Sequence, residues 1–267
     1  MATKRCEHGA AALGGKLYVI GGLSNGEDTP LSEAEVFDPK TDGWQPLPSM
    51  PTARWCLAAV AVARKVYAIG GFDDAYEFCD AVEAYDPLSG AWTQVASLPV
   101  PLYRHTAAAV NGKIYVLGGI IYDDEGEEVV TGRVVMYDPV ADSWQQMAAM
   151  PTARYSHASA VVDGKIYVSG GFTTLVETSD AFEAYDPVTN TWTTLASLSE
   201  VRADHASAAA HGKLYVFGGF TSSGDCLDLV EAASTYTYSN TALRQSNIWA
   251  RAAGMPSANE EAVAVVL

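Results

Sequence analysis

Residues 165–192 read KIYVSGGFTTLVETSDAFEAYDPVTNTW, and this stretch decides the fold. An alternating run from Lys165 ends at the glycine pair Gly170-Gly171, and a polar loop then leads to Tyr185-Asp186-Pro187. Trp192 follows the proline by five residues. Short alternating runs bounded by Gly and Pro are typical of β-strands, because proline cannot donate to a strand ladder. The stretch therefore predicts three successive strands of a small antiparallel sheet.

The same pattern recurs along the whole chain. Its glycine pairs are Gly21-Gly22, Gly70-Gly71, Gly118-Gly119, Gly170-Gly171 and Gly218-Gly219, and their first glycines lie 49, 48, 52 and 48 residues apart. An aromatic-Asp-Pro follows four of the pairs, and a tryptophan follows each proline by five residues: Trp44, Trp92, Trp144 and Trp192. The fifth unit keeps Trp249 but has Ala233, Ser234 and Thr235 where Tyr-Asp-Pro is expected. A period of this length is typical of stacked structural repeats.

Each repeat predicts four strands, which we name A to D in chain order, and we call their sheet a blade. Strand A is small and apolar, strand B ends at Gly-Gly, strand C ends at Asp-Pro and strand D carries the tryptophan. One such blade cannot bury its apolar face alone, so blades are expected to stack around an axis. The tryptophan would fill the space between neighbouring sheets.

These motifs resemble the Kelch repeat family, and MPTAR at 150–154 is similar to the Kelch domains of BTB–Kelch ubiquitin-ligase adaptors. The resemblance implies an all-β Kelch β-propeller of four-stranded antiparallel blades. Five blades are favoured. A six-blade ring stays open as an alternative, because Glu260–Leu267 reads as an additional strand A. No BTB, BACK or F-box segment is recognised, so the resemblance does not carry an adaptor role over to this chain.

We expect one propeller domain over residues 1–267. Its predicted repeats span about 5–53, 54–101, 102–153, 154–201 and 202–258, with a terminal closing strand at 259–267.

Composition limits the classes of partner. The chain has 32 acidic and 16 basic residues, a net charge of −16, which repels phosphate backbones and argues against nucleic acid. It lacks an apolar run long enough to span a membrane. The N-terminal residues lack the apolar run of a signal peptide, and the four cysteines show no paired spacing. We therefore expect a cytoplasmic monomer with free thiols.

Antiparallel geometry places the B–C loops and the D-to-A crossovers on one face of every blade. These connections are long and variable, so we expect the partner to bind there. The arginine that opens strand A and the residue after Gly-Gly are also where the resemblance to BTB–Kelch proteins implies that peptides are held. The predicted partner-binding residues are Arg54, Trp55, Phe72, Tyr103, Arg104, Arg154, Tyr155, Phe172, Arg202 and Phe220.

The predicted function is a protein-interaction module, a scaffold or adaptor, that binds a peptide or loop of a partner protein at the channel mouth. Arginine grips carboxylates through a planar fork of donors, so the favoured ligand is an acidic peptide segment. The alternative is that loop acids already occupy the arginines, in which case the face would prefer a neutral or basic partner. Trp55, out of register with the repeat tryptophans, is expected to be partly exposed.

Catalysis is not predicted. His8, His105, His157 and His205 occupy one repeat position, which is typical of a structural role, and the sequence indicates no catalytic residues, cofactor or metal. Plant specifier proteins carry a Glu-x-x-x-Asp-x-x-x-His iron motif, but here Glu200 and Asp204 are followed by Ala208. A small-molecule or carbohydrate-binding enzyme of the specifier-protein or sialic-acid-epimerase type stays the alternative.

Overall fold

The computed structural model describes residues 1, 3–24, 29–234 and 249–251. These residues belong to two compact units, Met1–Met147 and Ala148–Val266. Whether the two form the single domain that the sequence predicts stays a prediction, as does the closing strand at 259–267, which lies outside the described residues. Glu27 and Asp28, between the Gly-Gly and the Phe-Asp-Pro of the first repeat, also lie outside the described residues.

The first unit contains three four-stranded antiparallel sheets, blades 1 to 3, with orders β2-β3-β5-β6, β7-β8-β9-β10 and β11-β12-β15-β16. Two small pairs, β1-β4 and β13-β14, complete it. The strands are β1 (Arg5–Cys6), β2 (Gly9–Leu13), β3 (Lys16–Ile20), β4 (Leu23–Ser24), β5 (Ala34–Asp38), β6 (Gly43–Leu47), β7 (Ala58–Val62), β8 (Lys65–Ile69), β9 (Val82–Asp86), β10 (Ala91–Gln94), β11 (Thr106–Val110), β12 (Lys113–Leu117), β13 (Ile120–Tyr122), β14 (Glu128–Val130), β15 (Val134–Asp138) and β16 (Ser143–Gln146).

The second unit contains blades 4 and 5, with orders β17-β18-β19-β20 and β21-β22-β23-β24. The strands are β17 (Ala158–Val162), β18 (Lys165–Ser169), β19 (Phe182–Asp186), β20 (Thr191–Thr194), β21 (Ala206–Ala210), β22 (Lys213–Phe217), β23 (Val230–Ser234) and β24 (Ala250–Arg251). Blade 5 keeps the meander although its sequence has lost Tyr-Asp-Pro. No helix that could cross a membrane occurs in the described ranges.

The glycine pair is required because the backbone of its own blade and of the next blade approaches it closely. Gly70 and Gly71 have φ values of 58° and 100°, which glycine adopts without strain. A Cβ on Gly70 would lie 2.7 Å from the Leu102 carbonyl oxygen, and one on Gly71 would lie 2.4 Å from that of Trp55. The Gly71 amide donates a hydrogen bond to Leu102 O at 2.9 Å. Strand B therefore ends where the crossover into the next blade packs on its backbone.

Strand D carries the contact to the preceding blade. Trp144 Nε1 donates to the Ala96 carbonyl oxygen at 2.9 Å, and the Trp144 ring lies 5.0 Å from Tyr137. Asp142 adds a second link, since its Oδ1 accepts hydrogen bonds from the Tyr137 hydroxyl at 2.6 Å and from the Ala96 amide at 2.8 Å. The second unit repeats the tryptophan link between blades 4 and 5, where Trp249 Nε1 donates to the Ala196 carbonyl oxygen at 3.1 Å. The repeat tryptophans thus join blades, as the sequence predicts.

Candidate functional site

Each blade brings its two predicted binding positions together through backbone pairing. The residue after the strand A arginine bridges the residue after Gly-Gly, as in Trp55 with Phe72 and Tyr155 with Phe172. The Trp55 amide donates to Phe72 O at 3.0 Å, and the Phe72 amide donates to Trp55 O at 2.9 Å. The B–C loop and the crossover of one blade therefore form one continuous surface.

The arginines of that surface are not accessible. Arg54, Arg154 and Arg202 are each 0% exposed. Arg54 donates to Glu83 at 2.8 Å and, through Nη1, to the carbonyl oxygens of Gly70 and Ala81. The expectation that these arginines are open to the carboxylates of a partner was wrong, because the side chains turn into the blade and lie beneath the B–C loop.

The same arrangement recurs in three further blades. In every case the arginine donates to a glutamate on strand C of its own blade, and both side chains are buried. The pairs are Arg5–Glu35 at 3.0 Å, Arg54–Glu83 at 2.8 Å, Arg154–Glu183 at 2.5 Å and Arg202–Glu231 at 2.5 Å. Burial lowers the pKa of Arg154 and of Arg202, and the paired glutamate opposes that shift. A guanidinium still keeps its charge at neutral pH, so each pair is a buried ion pair.

Blade 3 lacks the pair altogether. Leu102 stands where the other blades have arginine, Val135 stands where they have glutamate, and Val100 replaces the Thr52 or Thr152 that donates to that glutamate. Leu102 and Val135 lie in one hydrophobic cluster. The chain has thus replaced a buried polar set by an apolar one in a single blade.

Arg104 differs from the strand A arginines. Its side chain is 27% exposed, and Nη2 lies 2.6 Å from Glu7 Oε1 of blade 1. Glu7, Cys56 and Arg104 occupy one repeat position with positive φ, and the Cys56 amide donates to Glu7 O while the Arg104 amide donates to Cys56 O. Arg104 is therefore the predicted site arginine that reaches the surface, but its charge is already paired.

The aromatic residues of the first unit form one cluster across blades 2 and 3. Trp55 stacks on Phe72 with centroids 5.0 Å apart, and Phe72 lies 4.2 Å from Tyr103. Phe78 contacts Tyr103 at 4.6 Å and stacks on Tyr122 at 3.9 Å. We call Trp55, Phe72, Phe78, Tyr103 and Tyr122 the aromatic cluster.

The cluster is partly open to solvent. Trp55 and Phe72 are half-buried, as expected for Trp55, and Tyr122 is 41% exposed, whereas Phe78 and Tyr103 are buried. The hydroxyl of Tyr103 donates to Glu128 Oε2 at 3.2 Å. Burial and the neighbouring Glu128 carboxylate raise the pKa of Tyr103. The cluster is therefore an aromatic surface in which Phe78 and Tyr103 are buried and the other rings are partly exposed.

The second unit has a smaller version. Tyr155 stacks on Phe172 at 5.0 Å, and Phe172 lies 5.7 Å from Phe220. Tyr155 and Phe172 are buried, and Phe220 is half-buried. Ala203 stands where blades 2 to 4 have an aromatic residue, so little aromatic area is exposed there.

Phe78 and Tyr122 are site residues that were not predicted from the sequence. Phe78 pairs with Phe72 across the base of the B–C loop, a position held by Thr178 in blade 4 and Cys226 in blade 5. Tyr122 ends β13, which extends the loop of blade 3 as a small hairpin. A search for aromatic residues at both ends of each B–C loop would have found them.

The repeat-position histidines pack against glycine. The His105 Cε1 atom would lie 2.8 Å from a Cβ on Gly70, and His205 Cε1 would lie 2.6 Å from one on Gly170. Burial lowers the pKa of both His105 and His205 to about 3. The pKa of His8 falls to about 4, through burial and then Arg5. These rings are neutral packing elements at neutral pH. No group of three or more His, Cys, Asp or Glu arranged to hold a metal ion occurs in the part of the chain that the structure describes.

Comparison with known proteins agrees with this repeat structure. The family model described as the KLHDC2/KLHL20/DRC7 Kelch-repeats domain matches residues 7–219. The chain belongs to the Kelch-repeat family. The solved structure "Structure of YjhT" superposes on 98% of this Kelch chain and 87% of its own, with a TM-score of 0.78 and 14% identity. With five four-stranded antiparallel sheets, this confirms the predicted all-β Kelch β-propeller fold class.

Curated relatives of this Kelch chain include human Kelch-like protein 33, 34% identical over 172 residues, which are 64% of this chain and 22% of the relative. Mouse Kelch-like protein 23 is 28% identical over 65% of this chain and 29% of its own length. Rat Kelch domain-containing protein 8B is 37% identical over 27% of this chain and 20% of the relative. The matches thus span less than a third of each relative.

Proposed function

We propose that this Kelch chain is a protein-interaction module whose contact surface in the first unit is the aromatic cluster. The single observation that carries the proposal is the continuous run of rings from Trp55 to Tyr122, half-open on a face made of loops. Aromatic residues dominate binding energy at protein interfaces because they bury a large area at a small loss of side-chain entropy. Loops on a rigid scaffold are where such sites are found.

The enzyme alternative has weaker support. Ser169 Oγ lies 2.9 Å from His205 Nε2, a pairing that resembles a nucleophile with its base. However, Ser169 and His205 are both buried, and Ser169 Oγ also lies 3.2 Å from Ser207 Oγ. A substrate could not reach this pair without opening the blade, so we assign it to packing.

The finer predictions from the sequence belong to this proposal. They are a monomer, a cytoplasmic location, a scaffold or adaptor role, and a peptide or loop of the partner as the bound element. The acidic segment predicted as ligand depended on accessible arginines. Arg54, Arg154 and Arg202 are buried, so they do not favour an acidic ligand. The charge of the loops then indicates the charge of the partner.

The test is comparative capture from lysate with identification of the bound proteins by mass spectrometry. Trp55→Ala combined with Tyr122→Ala should lose the partners that the wild-type chain retains. Leu88→Ala is the matched control, since Leu88 is 79% exposed but lies on the C–D turn, on the opposite face of blade 2. Retention of the same partners by both variants, with both folded, would place the contact surface elsewhere.

A further inference from the structure

The two loops that flank the aromatic cluster carry one sign of charge. Loop 73–80 contains four acids and no base, and loop 121–133 contains five acids and one arginine, Arg133. The acids are Asp73, Asp74, Glu77, Asp80, Asp123, Asp124, Glu125, Glu127 and Glu128. None of them forms an ion pair with a described residue. The surface around the rings is therefore strongly negative.

The loops are held in shape by their own hydrogen bonds. Asp73 Oδ1 accepts from the amides of Ala75 and Glu77 at 2.9 and 3.0 Å. Asp123 Oδ1 accepts from the amides of Glu125 and Glu127 at 3.1 and 2.8 Å. The first aspartate of each loop is thus used to fix the turn. The second, Asp74 or Asp124, is exposed beside it.

The aromatic cluster joins the two acidic loops. Phe78, at the end of the first loop, stacks on Tyr122, at the start of the second, at 3.9 Å and 8°. One face of the Tyr122 ring covers Phe78, and the residue stays 41% exposed. Tyr76 adds a second exposed ring, 56% exposed, at the tip of the first loop. Exposed rings and carboxylates are therefore interleaved on one surface.

Arg133 is the one basic residue on these loops, against nine acids, and two nearby arginines are used elsewhere. Arg54 is buried against Glu83, and Arg104 is paired with Glu7. An arginine or lysine brought by a partner would meet aromatic faces, which attract cations, and carboxylates, which accept their hydrogen bonds. An acidic segment would meet like charge instead, which disfavours association.

We infer that the aromatic cluster and loops 73–80 and 121–133 bind a basic segment of a partner protein, with an arginine or lysine placed between Tyr122 and the loop carboxylates. This inference rests on the proposed function and names the chemistry of the partner.

The test uses labelled synthetic peptides and fluorescence anisotropy. One peptide carries arginines spaced by Gly and Ser, and two others carry lysine or glutamate at the same places. The wild-type chain should bind the arginine and lysine peptides and not the glutamate peptide. Added salt should weaken this binding, because exposed charge pairs are screened.

Asp74→Asn with Asp124→Asn should weaken arginine-peptide binding about fivefold, the effect of losing two exposed charge pairs. The matched control is Asp42→Asn with Asp163→Asn, which removes the same charge from exposed C–D and A–B turns and should leave binding unchanged. Tyr122→Ala keeps every carboxylate and should weaken binding about threefold through the lost cation–π contact.

Three results would overturn the inference: preference for the glutamate peptide, equal loss in the loop and control variants, or no binding of any peptide. If no peptide binds but capture of partners still depends on Trp55 and Tyr122, the chain is an interaction module and the basic segment is rejected. Loss of that dependence in capture would reject the proposed function itself.

Discussion

At the scale of single residues, four blades keep a buried arginine–glutamate pair and one blade does without it. A buried pair contributes little net stability relative to a well-packed apolar set, because removing two charges from water offsets their attraction. Removing one partner alone leaves an uncompensated buried charge. Blade 3, with Val100, Leu102 and Val135, illustrates the apolar solution within the same chain.

Arg154→Leu should therefore lower the unfolding free energy by about 3–5 kcal/mol, since Glu183 would stay buried and charged. Adding Glu183→Val, to reproduce two of the three blade 3 residues, should recover at least about 1 kcal/mol. Gly170 O and Ala181 O still lose their donor in this variant, and the Thr152 hydroxyl loses its acceptor. Urea denaturation of both variants measures the coupling. A double variant less stable than Arg154→Leu would contradict this account.

The buried histidines make stability depend on pH. With folded pKa values near 3 and an unfolded value near 6.5, the unfolded chain binds more protons between these limits. Unfolding free energy therefore falls as pH falls from about 6.5 toward 3, by about 2 kcal/mol per histidine at pH 5. His105→Leu, which copies Leu57 of blade 2, should reduce the stability difference between pH 7 and pH 5. An unchanged difference would show that His105 does not contribute.

At the scale of the element, the tryptophan of strand D joins blades. Trp55 lies on the crossover, at a position that accepts side chains of different sizes. Trp55 occupies a repeat position of its own, since Cys6, Tyr103, Tyr155 and Ala203 are its equivalents. Residues as small as alanine are accepted there. Trp144, by contrast, contacts the ring of Tyr137 in its own blade and donates a hydrogen bond to the preceding blade.

Trp144→Ala should lower the unfolding free energy by about 3–5 kcal/mol, as large aromatic truncations do, and Trp55→Ala should lower it much less. Trp144→Phe keeps an aromatic ring but removes the N–H that donates to Ala96 O. The lost hydrogen bond should lower the unfolding free energy by about 1 kcal/mol. Thermal and urea unfolding of the three variants provide the comparison. Equal melting temperatures of Trp144→Ala and Trp55→Ala would contradict the division between tryptophans that join blades and those at the surface.

At the scale of the whole molecule, the net charge of −16 is concentrated in part on the loops around the aromatic cluster. Like charges on a folded chain repel one another, and salt screens exposed charges far more than buried pairs. Surface repulsion and the buried arginine–glutamate pairs should therefore respond differently to ionic strength.

Raising sodium chloride from low to physiological concentration should raise the melting temperature of the wild-type chain. The increase should be smaller for Asp74→Asn with Asp124→Asn, because part of the repulsion is already removed. Differential scanning fluorimetry at several salt concentrations measures both. A melting temperature that falls with salt would mean that exposed ion pairs outweigh the repulsion.

The blades could be predicted from the sequence alone. The motifs Gly-Gly, Tyr-Asp-Pro and the tryptophan mark the ends of strands that lie a few residues away. Local pattern therefore predicts the strand order, the turns and the tryptophans that join blades, such as Trp144. The pairing of residues such as Trp55 and Phe72 on one face also followed, since antiparallel strands fix which ends meet.

Which of those residues a partner can reach depends on contacts between residues far apart in the chain. Arg54 and Glu83 are 29 residues apart, and nothing local indicates that the side chain turns inward to close the loop instead of facing solvent. The aromatic cluster likewise depends on contact between Phe78 of one blade and Tyr122 of the next. Side-chain direction and contact between blades are set by packing, which a strand pattern does not contain.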